Sequence, residues 1–336
     1  MTSNLQICRC SVTGWTGSTG CPSPGKKLIY YLSEAALTGR DILWDQNGKY
    51  NLRIRKTLET LYTDYPGDRD SKDFRALAVY LKRVWFANGI HHHYGCEKFK
   101  PEFSEAFFRE AVRNVPTDKL PLEEGQTAEE LCDLLVPVIF DPEVMPKRVN
   151  QADGDDLVRT SACNYYGDGV TQTEAETFYN AMKQEGDPAP CHVRHEQPAG
   201  KGRREIAGKS VEVGRLIRCG HRPHHLLAGK SHRRGRKRET GRGAPQTHRI
   251  YRTGDLKTFD EYTILWVQET EAMVDFTNGF TETYGDPLGL KASWEGYANF
   301  KDLEATARTE KLSANAQWFE DHSPVGDRFK KAECRG

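Results

Sequence analysis

The sequence predicts an α+β protein, a mainly helical N-terminal part followed by a small antiparallel or mixed sheet. Three observations predict it. Apolar residues recur at helical spacing from Lys26 to Lys183, the period switches to two after Met273, and residues 191–249 between these regions carry neither pattern. The chain has 336 residues, enough for two ordinary domains or one large one. Its 48 Lys plus Arg balance 48 Asp plus Glu, which excludes a globally basic nucleic-acid binder and a globally acidic tail protein. The longest apolar run, Leu134 to Phe140, is interrupted by Pro137. A membrane span needs roughly 20 apolar residues, so no membrane partner is expected. Met1 to Asn4 show no basic run leading into an apolar segment, and no secretory signal is expected.

The elements follow in order. Leu28, Ile29, Leu32, Ala35 and Ala36 predict a first helix that Gly39 ends. Tyr50 to Tyr65 predicts a second, stopped by Pro66, because proline has no amide hydrogen to continue it. Asp70 to Asn88 predicts a third, with Phe74, Leu77, Val79, Leu81 and Val84 inside and Gly89 just past the end. Ser104 caps Glu105 to Val115. Three Thr-x-x-Glu capping boxes follow. Thr127 with Glu130 opens Leu131 to Phe140, Thr173 with Glu176 opens Glu174 to Lys183, and Thr258 with Glu261 opens Phe259 to Thr270. Val274 and Phe276 then alternate with polar residues, and Asn278-Gly279 predicts a hairpin turn. Beyond it Phe280, Glu282 and Tyr284 share one face of a strand that Gly285-Asp286-Pro287 closes. Ala292 to Phe300 reads as another strand and Leu303 to Trp318 as helix.

Residues 191–249 are a break in composition. They hold 16 Lys plus Arg against 4 Asp plus Glu, a net charge of +12, which leaves −12 on the rest. They include 7 of the 11 histidines and no Phe, Tyr, Trp, Asp, Asn or Met. Such a segment cannot bury enough apolar surface to offset the entropy of ordering it, so disorder is expected. A nucleic-acid arm centred on Arg233 to Arg238 is one reading and a plain linker another. Translation in a shifted frame is the favoured one. Written as degenerate codons and moved by one base, His221 to Lys230 permits Ile-Asp-Arg-Ile-Ile-Tyr-Trp-Leu-Glu-Lys, an amphipathic helical pattern with the missing aromatics restored. Nucleic acid is therefore not an expected partner. Of the nine cysteines, Cys96, Cys132 and Cys163 lie in well-patterned sequence without Cys-x-x-Cys spacing. They read as thiols of a reducing compartment, and a cytoplasmic address is expected.

Two groups could carry chemistry. His91-His92-His93 is a poor chelator, because adjacent residues point apart and helical zinc pairs need spacing of three or four. Glu282 and Tyr284, two residues apart on a strand, place their Cβ atoms roughly 6.6 Å apart on one face. The carboxylate could hold a cation and the phenol could donate to a developing oxyanion. On pattern alone, a solvated Glu beside a half-buried Tyr is the plainer reading.

Three stretches resemble the bacterial branch of the zinc-dependent dipeptidyl peptidase III family. These are Leu28 to Phe103, with YYLSEAALTGRDILWDQN and VYLKRVWFANGIHHHYG; Tyr165 to Met182, YYGDGVTQTEAETFYNAM; and Tyr251 to Phe329, with GDLKTFDEY, FTNGFTETYGDPLG and NAQWFEDHSPV. The resemblance implies a two-lobed metallopeptidase that releases dipeptides from the free N-termini of short peptides. It implies a β-rich lobe to which the substrate adds as a strand, and a helical lobe that carries zinc. Carried over by motif, Glu282 binds the substrate α-ammonium and Tyr284 stabilises the tetrahedral oxyanion. The family's zinc motif, His-Glu-x-x-x-His, is missing, since the one His-Glu pair is His195-Glu196 with no His where the motif requires it. The organisation expected is a disordered or misread start at 1–25, the helical part of the β-core lobe at 26–190, a frame-shifted segment at 191–249, and the substrate-binding strand within 250–330. The zinc lobe is expected to be absent, with no zinc bound and the chain catalytically incomplete. The alternatives are a peptide-binding or scaffolding module that does not cleave, and nucleic-acid binding through 191–249. Oligomeric state is not readable.

Overall fold

A computed structural model describes residues 2–4, 9–11, 23–181, 196–201, 206–210, 256–269 and 272–334. The helices are α1 Ser23–Thr38, α2 Arg40–Gln46, α3 Asn51–Asp64, α4 Lys72–Ala87, α5 Glu105–Asn114, α6 Ala128–Phe140, α7 Gln172–Ala181, α8 Leu256–Val267, α9 Leu303–Ala314 and α10 Ala316–Asp321. The strands are β1 Thr2–Asn4, β2 Arg9–Ser11, β3 Glu196–Lys201, β4 Ile206–Ser210, β5 Val274–Glu282 and β6 Ser293–Phe300. They form three two-stranded antiparallel sheets, β1-β2, β3-β4 and β5-β6. Helices α1 to α7 thus precede the β5-β6 ribbon, and no parallel pair occurs among the described residues.

Helices α3 to α6 enclose the main core. Ile54, Leu58 and Leu61 of α3, Leu77, Leu81 and Val84 of α4, Phe108 of α5 and Leu135 and Ile139 of α6 are all essentially inaccessible. Burying each such side chain contributes about 1.5–3 kcal/mol. The helix starts are fixed by side-chain oxygens that satisfy otherwise unpaired amides. Ser71 accepts from the Phe74 amide, Ser104 from Phe107, and Thr127 forms a full capping box with Glu130. Helix α4 ends with Asn88 in the left-handed region, φ 52°.

The ribbon packs on α1 and α2. Leu28, Ile29 and Leu32 of α1 meet Val274, with Phe276, Ala298 and Phe300 alongside. Ile42 of α2 meets Phe280, Ala292 and Trp294. One buried residue ties the two regions. The Gln46 amide donates to the Ala292 carbonyl at 3.0 Å and accepts from the Trp294 amide at 2.8 Å.

Several expectations are corrected. Helix α1 begins at Ser23, and α2 is an additional helix. Gly39 between them has φ −85°, so conformation does not require glycine; the Trp294 indole lies 2.4 Å from where a Cβ would sit. The capping pair of α7 is Thr171 with Glu174, not Thr173 with Glu176, because the Asp156 carboxylate receives the Gln172 amide and anchors the start there. Thr258 lies buried inside the first turn of α8 rather than before it. Strand β5 runs straight through Asn278-Gly279, with Gly279 paired to Glu295, so the expected turn is absent. The region Leu303 to Trp318 is broken at Asn315. Most of 191–249 lies outside the described residues; β3 and β4 are the described part, and they pair with each other.

Candidate functional site

The link between β5 and β6 is a loop built around a buried carboxylate. Asp286 accepts from the amides of Leu288 at 3.1 Å, Leu290 at 2.9 Å and Lys291 at 2.7 Å, and from the Tyr166 hydroxyl at 2.9 Å. Burial raises its pKa despite these four donors. Lys291, also buried, donates to the Tyr165 carbonyl at 2.9 Å and lies over the Tyr166 and Tyr179 rings. Tyr165 and Ser293 share a 2.6 Å hydroxyl hydrogen bond. Because ordered groups hold the loop at both ends, the residues before it are presented from a rigid base.

A β-bulge decides where those residues face. Phe280 pairs with Trp294, yet Glu282 pairs with Ser293, so one extra residue is inserted between them. Phe280 points into the core, while Glu282 turns to the opposite face, that of Ser293 and Glu295. The expectation that Phe280, Glu282 and Tyr284 share a face is corrected accordingly. Tyr284 stands beyond the strand end, 68% exposed. Its pKa is raised, first by desolvation and then by the carboxylates of Glu295 and Glu282, with Arg148 opposing. The phenol therefore keeps its proton and remains a donor. Glu295 is raised too, by burial and then by the charge of Glu282. Two carboxylates and a phenol thus share one electrostatic neighbourhood.

Tyr284 and Glu295 line a cavity of about 960 Å³. Asn47, Phe86, His93, Cys96 and Arg148 line it as well, among others. A space of this size admits a small organic ligand or a short peptide. Arg148 donates to Asn47 Oδ1 at 3.2 Å and to the His93 carbonyl at 3.1 Å. Sequence reading missed Glu295 and Arg148. Glu295 carried a signal, an outward position opposite the Glu282 strand, whereas Arg148 sits in a loop with no periodicity.

The histidine triplet serves the loop structure. His91 is buried with Nε2 donating to the Met145 carbonyl at 2.8 Å, and burial lowers its pKa to about 4, which favours the neutral ring. His92 Nδ1 accepts from the amides of Tyr94 and Gly95. His93 stacks on His92 and meets Phe86 edge-on. Among the described residues no three His, Cys, Asp or Glu side chains are grouped to hold a metal ion, so these residues do not fit the zinc that the resemblance implies. Cys96, Cys132, Cys163 and Cys334 are free thiols. No described helix is long and apolar enough to cross a membrane.

Comparison with known proteins gives a consistent picture. The profile of peptidase family M49 matches residues 245–335. Dipeptidyl peptidase 3 of Dictyostelium discoideum is 32% identical over 66 residues, covering 20% of this chain and 10% of that protein. Dipeptidyl peptidase 3 of Rattus norvegicus is 27% identical over 78 residues, covering 23% and 11%. The solved structure of dipeptidyl peptidase III from Caldithrix abyssi superposes with a TM-score of 0.58 at 15% identity, over 93% of this chain and 46% of that one. That of dipeptidyl-peptidase III from Corallococcus sp. strain EGB gives 0.56 at 16% identity, over 96% and 48%. The alignments span about a tenth of the curated relatives and less than half of the solved structures. The likeness in structure shows that the chain adopts part of that two-lobed fold.

Proposed function

That the chain belongs to the dipeptidyl peptidase III family is the premise from which we propose its function: it is the peptide-gripping part of a zinc metallo-exopeptidase that releases dipeptides from the N-termini of short peptides. In this reading Glu282 binds the substrate α-ammonium, and Tyr284 donates a hydrogen bond to the oxyanion of the tetrahedral intermediate. The observation that carries it is the Asp286-anchored loop, which supports an exposed, protonated Tyr284 on the cavity wall within electrostatic reach of Glu282 and Glu295. A charge-assisted pair with the amine selects free N-termini, because an internal peptide bond brings no cation. Each strand of the β5-β6 ribbon keeps one edge without a strand partner among the described residues. Such an edge can take a peptide as an added strand.

The chain's own residues supply grip and orientation. Its sequence contains no His-Glu-x-x-x-His, so the chain alone is proposed not to turn over peptide. The free thiols support a reducing compartment, and the cytoplasm is the proposed address. Calorimetry with a short peptide and its N-acetylated form tests the grip. The free amine should bind and the acetylated form should not, and Glu282→Gln should abolish the difference. Equal binding of both forms refutes the reading. A dipeptidyl-arylamide assay with zinc added should give no turnover; turnover that disappears in Tyr284→Phe refutes the inactivity.

A further inference from the structure

We propose that Arg148 binds a carboxylate in the same cavity, so that the ligand carries a free amine and, one or two residues further on, a carboxylate. This rests on the assignment of Glu282 as the amine-binding group.

The argument starts from charge. Most arginines packed in the helical part meet an acid: Arg53 meets Glu123, Arg55 meets Asp41, Arg83 meets Glu102, and Arg109 meets Glu105 and Asp133. Arg148 forms no ion pair among the described residues. Its hydrogen bonds go to neutral acceptors, Asn47 Oδ1, the His93 carbonyl and, at 3.8 Å, Cys96 Sγ. Its Nε is buried without a hydrogen-bond partner. A guanidinium held this way is oriented but not neutralised, and its fork geometry suits a carboxylate.

The acids in the neighbourhood are in the same condition. Neither Glu282 nor Glu295 forms an ion pair among the described residues, although Glu295 and Arg148 line one cavity. Charges of opposite sign therefore face a shared space without closing on each other. A ligand that is itself a zwitterion satisfies both, with its ammonium at the carboxylates and its own carboxylate at Arg148. An extended peptide advances about 3.3–3.6 Å per residue, so one or two residues bridge walls of such a cavity. The carboxylate can be the C-terminus of a dipeptide or an acidic side chain.

Calorimetry on the full chain distinguishes these sources. Alanyl-alanine is compared with its C-terminal amide, and alanyl-glutamate amide with alanyl-glutamine amide. A carboxylate preference of about tenfold or more in either pair is expected, and the pair that shows it identifies the source. Arg148→Met should remove the preference and Arg148→Lys should keep part of it. Lys147→Met is the control, since Lys147 lines the same cavity and should leave the preference intact. No preference in either pair overturns the proposal, as does its loss in Lys147→Met. The peptide comparisons use the unaltered chain, so they decide even where Arg148→Met fails to fold. If N-acetylation weakens binding while amidation and side-chain charge do nothing, Arg148 is misassigned and Glu282 stands. If acetylation changes nothing, the assignment of Glu282 fails first.

Discussion

Acid should loosen this fold through His91. The ring is 3% exposed, and burial, with Arg148 and Lys98 nearby, lowers its pKa from 6.5 to about 4. A depressed pKa means that the folded state favours the neutral ring. The stability this contributes is fully present above the unfolded value of 6.5 and is lost as pH falls toward 4. Each pH unit between the two values is worth about 1.4 kcal/mol, so the loss is about 2 kcal/mol between pH 7 and 5 and about 3 kcal/mol by pH 4. That is a sizeable part of a typical total of about 5–15 kcal/mol. Urea unfolding at pH 7, 6 and 5 measures it in the unaltered chain and in His91→Gln, whose amide can still donate to the Met145 carbonyl. The variant should lose about 2 kcal/mol less over that range, since all other titrating groups are common to both proteins. Identical pH dependence in the two would refute the reasoning.

Two further outcomes follow from packing. Asp286→Ala strands three backbone amides and the Tyr166 hydroxyl in or near the interior, and should cost about 3–5 kcal/mol by denaturant unfolding. A loss below about 1 kcal/mol would show that the loop does not depend on this carboxylate. Gly39→Ala places a methyl 2.4 Å from the Trp294 indole and should cost about 1–3 kcal/mol, with a change in tryptophan fluorescence; an unchanged melting temperature and spectrum would count against the contact.

Helices whose start signals lie in their own sequence were legible. Ser104 and Thr127 could be placed because a cap and its amide are three residues apart, so the whole interaction sits in one short string. Where the deciding partner was distant, the reading failed. Thr171 and Thr173 offer overlapping patterns, and the choice is made by Asp156, fifteen residues and more away. Asn278-Gly279 has strong turn chemistry, but β6 pairs continuously across it while α1 and α2 cover Val274 and Phe280 together. Tertiary pairing overrides the local preference there. The same holds for the site. Glu282 and Tyr284 stand out as candidates through their motif, but the bulge that turns Glu282 away from Phe280 leaves no mark in a two-residue alternation. Arg148 carries no local signal, because only the fold brings its loop to the cavity that β6 also lines.

The Gln46 bridge sets an order of events. Its partners Ala292 and Trp294 lie 246 and 248 positions downstream, so the two sides of the cavity come from segments far apart in the chain. During synthesis the helical side can condense early, whereas the cavity cannot close until β6 has emerged. Contacts of such long sequence separation slow the search for the native state. A ribosome-bound intermediate would thus hold a finished helical body with an open flank, and the cavity would take shape late and in a single step.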